Sequence, residues 1–248
     1  MLELPSADTL FDVLDATWPA AAIQRKGAFL IRNGKGGGKR VSAATSLKDA
    51  GLQDVVMAET AMNSFSQVPL FQLRDEETLL DDTLEKRGYE LVDPVTMYVI
   101  PAIDLADQSL PRTAAIPAWE PLKIMEEIWA AGGVGPERLN VMRRAKGSKT
   151  GFVSRWNDKP AGASFLAMHS GVGMVHALEI LSSQRRQGIA KFLMRRAAKW
   201  VLQNGGTHLS VVCTTANVGA NALYTSLNMS VVGKYHYRLK PVHRGDLK

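Results

Sequence analysis

The feature that most limits what this chain can fold into is the run Arg185-Arg186-Gln187-Gly188-Ile189-Ala190. It lies between an apolar, strand-like stretch at 174–181 and an amphipathic, basic helix at 189–202. Where a strand hands over to a helix, the first-turn N–H groups have no partners inside the helix and point at whatever sits at its start. Gly188 lets the backbone come close to a bulky polyanion, and the small Ala190 lets the helix start press against the strand. A pyrophosphate is the natural guest. A P-loop needs Gly-x-x-x-x-Gly-Lys-Ser/Thr, and a dinucleotide fold needs Gly-x-Gly-x-x-Gly with an acidic residue about 20 positions on; neither pattern is present here.

A second pattern follows. Asn204-Gly205-Gly206 marks a turn and residues 208–214 a strand, after which Asn217, Ala220, Leu223 and Tyr224 open another helix. Arg185-x-x-Gly188-x-Ala190 and Asn217-x-x-Ala220-x-x-Leu223-Tyr224 together resemble the paired motifs of the GNAT superfamily of acetyl-CoA-dependent N-acetyltransferases, at the family's spacing. One departure is visible: the family ends this helix with Leu-Gly-Phe, whereas the chain reads Leu227-Asn228-Met229. Asn tolerates the left-handed conformation that Gly would adopt, so the turn is expected to survive. Upstream, residues 122–142 read as helices broken at 132–136. Strands are expected near 150–156, 162–169 and 174–181, joined by Asn157-Asp158-Lys159-Pro160 and Ser170-Gly171-Val172-Gly173 as hairpin turns. With a closing strand at 231–240, this is the family's order.

The resemblance implies an α/β (α+β) chain of two GNAT-like domains, each a mixed sheet with splayed strands and flanking helices. It also implies acetyl-CoA as cofactor. Carried over by position, the backbone of Leu178, Glu179 and Ile180 pairs with the pantetheine arm, and Arg185, Arg186, Gln187, Gly188, Ile189, Ala190 and Lys191 surround the pyrophosphate. Asn217 supports the loop beside the cofactor, with Ala220 at the next motif position, and Tyr224 matches the general acid toward the leaving sulfur. The general base stays open. His176 lies nine residues before Arg185, where one family member carries a strand histidine, and imidazole titrates in the useful range. Glu179 is the other candidate, and water without a dedicated base is the third. By strict alternation His176 and Glu179 face opposite sides of the sheet, unless a bulge intervenes. The implied reaction is direct attack on the thioester, in a ternary complex, by a primary amine of a small molecule, amino acid or peptide. A regulatory or interaction module that binds acetyl-CoA without turnover, or a scaffold of two empty GNAT-like folds, are the alternatives.

The N-terminal half reads as a helix at 7–17, strands at 28–32 and 40–45, a helix at 52–62, a strand at 68–73, a helix at 76–87 and strands over 90–100, and from Ala28 onward this order echoes the later part of the C-terminal half. Leu84-Glu85-Lys86-Arg87-Gly88-Tyr89 looks like the family's helix ending. No cradle precedes the helix at 52–62, and the glycines of residues 33–39 read as a hairpin loop between strands. A tandem chain is expected, with a degenerate domain at 1–104, a proline-rich linker at 105–121 and a catalytic domain at 122–248.

Composition narrows the class further. Hydrophobic residues make up 46% and charged residues 22%, as in a globular enzyme. The start is acidic where a secretory signal would be basic, and no apolar run approaches the ~18 residues of a membrane span, so a cytoplasmic protein without membrane association is expected. The lone Cys213 excludes an intrachain disulfide and reads as packing. The net charge of +6 falls in short clusters without a nucleic-acid motif, and focused positive potential suits an anionic cofactor, so nucleic acid is not expected as a partner. The histidines show no metal-ligand spacing, and no metal is expected.

Overall fold

The computed structural model describes residues 2–106, 110–111 and 113–241. Residues 107–109 and 112 of the expected linker, and His243 in the last basic cluster, lie outside them. The elements are α1 (Ala7–Thr17), β1 (Ala22–Lys26), β2 (Phe29–Asn33), β3 (Thr45–Ser46), α2 (Leu52–Ser64), β4 (Leu70–Arg74), α3 (Thr78–Lys86), β5 (Glu90–Pro101) and α4 (Ala102–Ala106). They continue with β6 (Ile116–Ala118), α5 (Lys123–Ala131), α6 (Pro136–Arg144), β7 (Lys149–Trp156), β8 (Lys159–His169), β9 (Val172–Ile180), α7 (Ile189–Gln203), β10 (His208–Thr214), α8 (Val218–Ser226) and β11 (Ser230–Leu239). Short 3-10 turns stand at Lys39–Val41 and Ser182–Gln184.

Two compact units are present. The first comprises Met1–Pro19, Met97–Cys213 and Asn217–Gly233; the second comprises Ala20–Thr96, Thr214–Ala216 and Lys234–Lys248. These differ from the boundaries expected from composition, because composition reads only neighbours along the chain. β5 has residues 90–96 in the second unit and 97–101 in the first, so a break at residue 104 is invisible to the packing.

In the first unit the strands run in the order β5-β10-β9-β8-β7-β6. β6 through β9 are antiparallel neighbours, while β9 and β10 are parallel, which makes the sheet mixed. The hairpin turns form as expected: Asn157 and Asp158 both take positive φ (48° and 57°), as do Ser170 and Gly171 (48° and 77°). α7 covers one face with Ile189, Leu193, Met194, Ala197, Ala198 and Val201, packed on Phe152, Leu166, Val175 and Leu209. This is the 3.6-residue periodicity of its sequence put to use. α1 and α5 pack on β8 and β9. α1 starts at Ser6, whose Oγ accepts the Thr9 N–H at 3.2 Å; removing such a cap costs about 1 kcal/mol.

The expected linker is partly structured. α4 buries Ala102 and Leu105, Ala115 joins the same core, and β6 pairs with β7. Proline there reflects an edge strand as much as a tether: Pro117 sits in β6, where no neighbour on the outer side needs its missing N–H.

The second unit holds the three-stranded sheet β1-β2-β3 and the strand order β4-β11-β5. Its core gathers Phe29, Ile31, Val55, Met62, Phe71, Leu73, Leu84 and Tyr89. Two expectations fail here. The strand expected at 40–45 is instead the 3-10 turn and the two-residue β3, because Ser42 N–H bonds Lys39 O at 3.0 Å and Ser42 Oγ donates back to Gly38 O at 3.0 Å. The glycine-rich loop at 33–39 is therefore no hairpin. The hairpin partner of β2 is β1, which the sequence hid because most of its side chains are exposed and polar. The repeat of the helix ending does hold. Tyr89 N bonds Leu84 O and Met229 N bonds Tyr224 O, both at 3.1 Å, across Gly88 (φ 79°) and Asn228 (φ 55°). Asn228 thus takes the left-handed conformation expected of it.

Candidate active site

β9 carries the structural irregularity from which the site is built. Its register against β8 runs Phe165↔His176 but Ala163↔Glu179, so β9 holds one residue more than its partner. The extra residue is Ala177, at φ 47°. Trp129 of α5, fully buried, donates from Nε1 to Ala177 O at 2.8 Å and gives the displaced carbonyl its partner. A bulge bends its strand and disrupts the ladder. Here the parallel pairing of β9 with β10 covers only Val172 through Val175, opposite His208 through Val211. Beyond that point the backbone of Glu179 and Ile180 remains paired with β8 on one side, and no residue of β9 after Val175 pairs with β10 on the other.

The bulge also overturns the expectation from strict alternation. Val175, Leu178 and Ile180 pack toward α7, whereas His176 meets α1 and Glu179 meets the end of α5. His176 and Glu179 therefore share a face, because the inserted residue shifts the parity between them.

Their surroundings differ. His176 is 3% exposed, stacks on Trp18 at 4.9 Å, lies 6.2 Å from the Phe165 ring and shares a 2.9 Å hydrogen bond between Nε2 and Thr17 Oγ1. That is the environment of a core histidine. Glu179 is half-buried, and its carboxyl occupies the space a side chain at Gly132 would need. Burial pushes its carboxyl above the usual carboxylate range, against the opposing pull of Arg185 and Arg138.

At the end of β9 the chain turns through the 3-10 segment into the basic run. Arg185 donates from Nε to Ile180 O at 3.2 Å, and Arg185, Arg186, Gln187 and Gly188 are exposed. Gly188 is the N-cap of α7 at φ 81°, a left-handed conformation that favours glycine, and no side chain caps the helix. A Cβ at Gly188 would meet only Phe192 Cζ at 4.0 Å, so the space beside this helix start is open. Ile189 is buried beneath it, Ala190 is half-buried and Lys191 stands in the first turn. Open space, uncapped N–H groups and three basic side chains fit a pyrophosphate.

α8 carries the second motif. Asn217 caps it, accepting the Ala220 N–H on Oδ1 at 3.1 Å, which accounts for the Asn of the motif. Tyr224 is 4% exposed, and no hydrogen bond to its hydroxyl is found among the described residues. Burial raises its phenol well above the ordinary value, with smaller contributions from Cys213, Tyr98 and Glu179. Cys213 is buried in the α7 core, as expected of packing.

Several participants were not legible in the sequence. Trp129, Gly132 and Arg138 shape the environment of Glu179; only Gly132 left a trace, as part of a helix break. Tyr98 and Asn221 bond each other at 2.8 Å, beside Tyr224. The second unit has its own cleft of about 520 Å³, lined by Ser46, Lys48, Arg74, Glu77 and Leu80 among others. It shares no residue with the bulge, the basic run or α8. Among the described residues no helix is long and apolar enough to cross a membrane, and no group of three acidic, His or Cys side chains could hold a metal ion.

Residues 119–229 match the model of the acetyltransferase (GNAT) family. No curated protein matches the chain. The fold is similar to that of a GCN5-related N-acetyltransferase from Kribbella flavida, with a TM-score of 0.69 at 16% identity over 99% of this chain and 100% of that one. A conserved protein of unknown function from Staphylococcus epidermidis gives 0.69 at 15% identity over 92% and 97%. A tandem GNAT protein from the clavulanic acid biosynthesis pathway gives 0.58 at 12% identity over 81% and 76%. At these identities the likeness is one of fold.

Proposed function

The chain carries a GNAT-family acetyltransferase domain over residues 119–229, and on that premise we propose that it transfers the acetyl group of acetyl-CoA to a primary amine of a small molecule, amino acid or peptide. The observation that carries this reading is the parting of β9 from β10 after Val175. It leaves β9 without a β10 partner at Leu178, Glu179 and Ile180, directly before the basic run and the uncapped start of α7. An extended pantetheine arm completes such an edge by backbone hydrogen bonding, with its pyrophosphate among Arg185, Arg186, Gln187, Gly188, Ile189, Ala190 and Lys191.

When bound, acetyl-CoA supplies the thioester. An ammonium has no lone pair, so the acceptor must lose a proton before it can attack. Glu179 is the base in this reading: its raised pKa brings it nearer the operating range, and it stands two residues past the bulge, against the end of α5. His176 holds Thr17 and the Trp18 ring instead, and serves to seat α1. A backbone N–H of the parted edge polarises the thioester carbonyl, as oxyanion donors do. Tyr224 stays protonated at neutral pH, and its raised pKa makes it a hydrogen-bond donor to the departing sulfur more than a full proton donor.

Isothermal titration of acetyl-CoA against the wild type and Gly188→Glu tests the reading. Micromolar binding that is lost in the variant, followed by amine-dependent thiol release, supports it. Binding to neither protein leaves a scaffold of two GNAT-like folds in its place.

A further inference from the structure

Tyr98 lies on β5, outside the residues that match the family, yet it touches α8 at two points. Its hydroxyl donates to Asn221 Oδ1 at 2.8 Å, and its ring centroid is 5.3 Å from that of Tyr224, at an interplanar angle of 46°. Asn221 in turn donates from Nδ2 to Asn217 O at 2.8 Å, and Asn217 caps the helix through Ala220. Tyr98 is 6% exposed and Tyr224 4%, so neither ring has room to reorient freely. The first turn of α8 and the ring of Tyr224, seven residues further on, are thus referenced to the same side chain. Asn221 is no position of the motif quoted for this helix, and Tyr98 lies 123 residues from it.

We propose that Tyr98 and Asn221 are positioning residues for Tyr224: they fix the helix start and the phenol ring together, so that the Tyr224 hydroxyl meets the departing sulfur. This rests on the acetyl-transfer reading above. Among the described residues no hydrogen bond reaches the Tyr224 hydroxyl, so its ring contacts and its backbone aim it, and Tyr98 touches both, the ring directly and the helix through Asn221. Misplacement of a reacting group by about 1 Å can cost up to 10²-fold in rate. Losing one hydrogen bond, by contrast, is a small fraction of the stability of a typical domain.

The test is a kinetic comparison of Tyr98→Phe, Asn221→Ala and Tyr224→Phe, alone and in pairs. Tyr98→Phe and Asn221→Ala are each expected to lower kcat about tenfold while KM for acetyl-CoA stays within about twofold. In the Tyr224→Phe background, neither is expected to lower kcat further. Equal losses in both backgrounds, or unchanged kcat, would overturn the proposal. A second readout needs no turnover. In protein labelled at the tyrosine ζ carbons, the Tyr224 signal, identified by its loss in Tyr224→Phe, is expected to shift or broaden in Asn221→Ala. An unmoved signal overturns the positioning role whether or not acetyl-CoA is consumed. A moved signal in a protein that releases no thiol keeps the role and removes the acetyl-transfer reading.

Discussion

α2 and α7 both begin at a glycine that follows a short turn, and they resolve the same problem in opposite ways. At the start of α2, Asp54 sits at the third helical position; its Oδ2 accepts the Gly51 N–H at 3.1 Å and its Oδ1 the Ala28 N–H at 2.9 Å. The carboxylate fills the positive end of its own helix. At the start of α7 the equivalent position is Lys191, no acidic residue stands in the first turn and no side chain caps Gly188. One helix start is chemically closed and the other open. A glycine at the head of a helix is therefore no sign of an anion site until the third helical position has been read. The carboxylates Glu77 and Glu179 repeat the lesson. Burial raises both, but Glu77 accepts from the Arg74 N–H at 2.7 Å and from Ser46 Oγ, while Glu179, for which no hydrogen bond is found among the described residues, feels the longer-range pull of Arg185 and Arg138.

The sharpest attack on this contrast is to neutralise each carboxylate in turn. Glu179→Gln is expected to lower kcat about 10²-fold at neutral pH, and Glu77→Gln to leave it unchanged; steady-state thiol release reads both. The sign with pH follows from the raised pKa. Glu179 is a base only when ionised, so activity falls as pH drops through a value above 4.5, and this acid limb should vanish in Glu179→Gln. Equal effects at the two positions would erase the distinction between the units. Next in size, Lys191→Asp writes the third position of α2 into α7 and is expected to weaken acetyl-CoA binding about tenfold by titration. Unchanged affinity would mean that the helix start is not where the anion sits. The smallest effect is expected from Asp54→Ala, which uncaps α2: a loss of about 1 kcal/mol in urea unfolding, with acetyl-CoA affinity untouched. A gain of acetyl-CoA binding at α2 would show that the carboxylate alone kept that seat closed.

The sequence was most legible where local rules and packing agree. α1 and β10 occupy the residues that periodicity indicates, and the left-handed Asn228 follows from the turn chemistry of a helix end. It was least legible where a partner far along the chain decides. β1 is mostly exposed and polar, so nothing in its pattern announces a strand until β2 is beside it. The bulge at Ala177 has no composition cue, since alanine is not a residue that favours positive φ; a tryptophan 48 residues earlier holds its carbonyl. Tyr98 and Asn221 were missed for the same reason. Gly188 and Asn217 stand where their motifs put them because each answers to a requirement of its own helix start, the left-handed N-cap of α7 and the side-chain cap of α8.

That the surplus residue of β9 is an alanine has a consequence for how such an opening can arise or be lost. Removing one residue from a strand ordinarily inverts every side chain beyond it. Here the deletion of Ala177 would cancel an existing offset, leaving His176 and Glu179 two apart and on the faces they already occupy. The gap against β10 thus depends on chain length at one position, in addition to the Trp129 hydrogen bond that holds the displaced carbonyl. A single-codon deletion could close it without altering any of the side chains that line it.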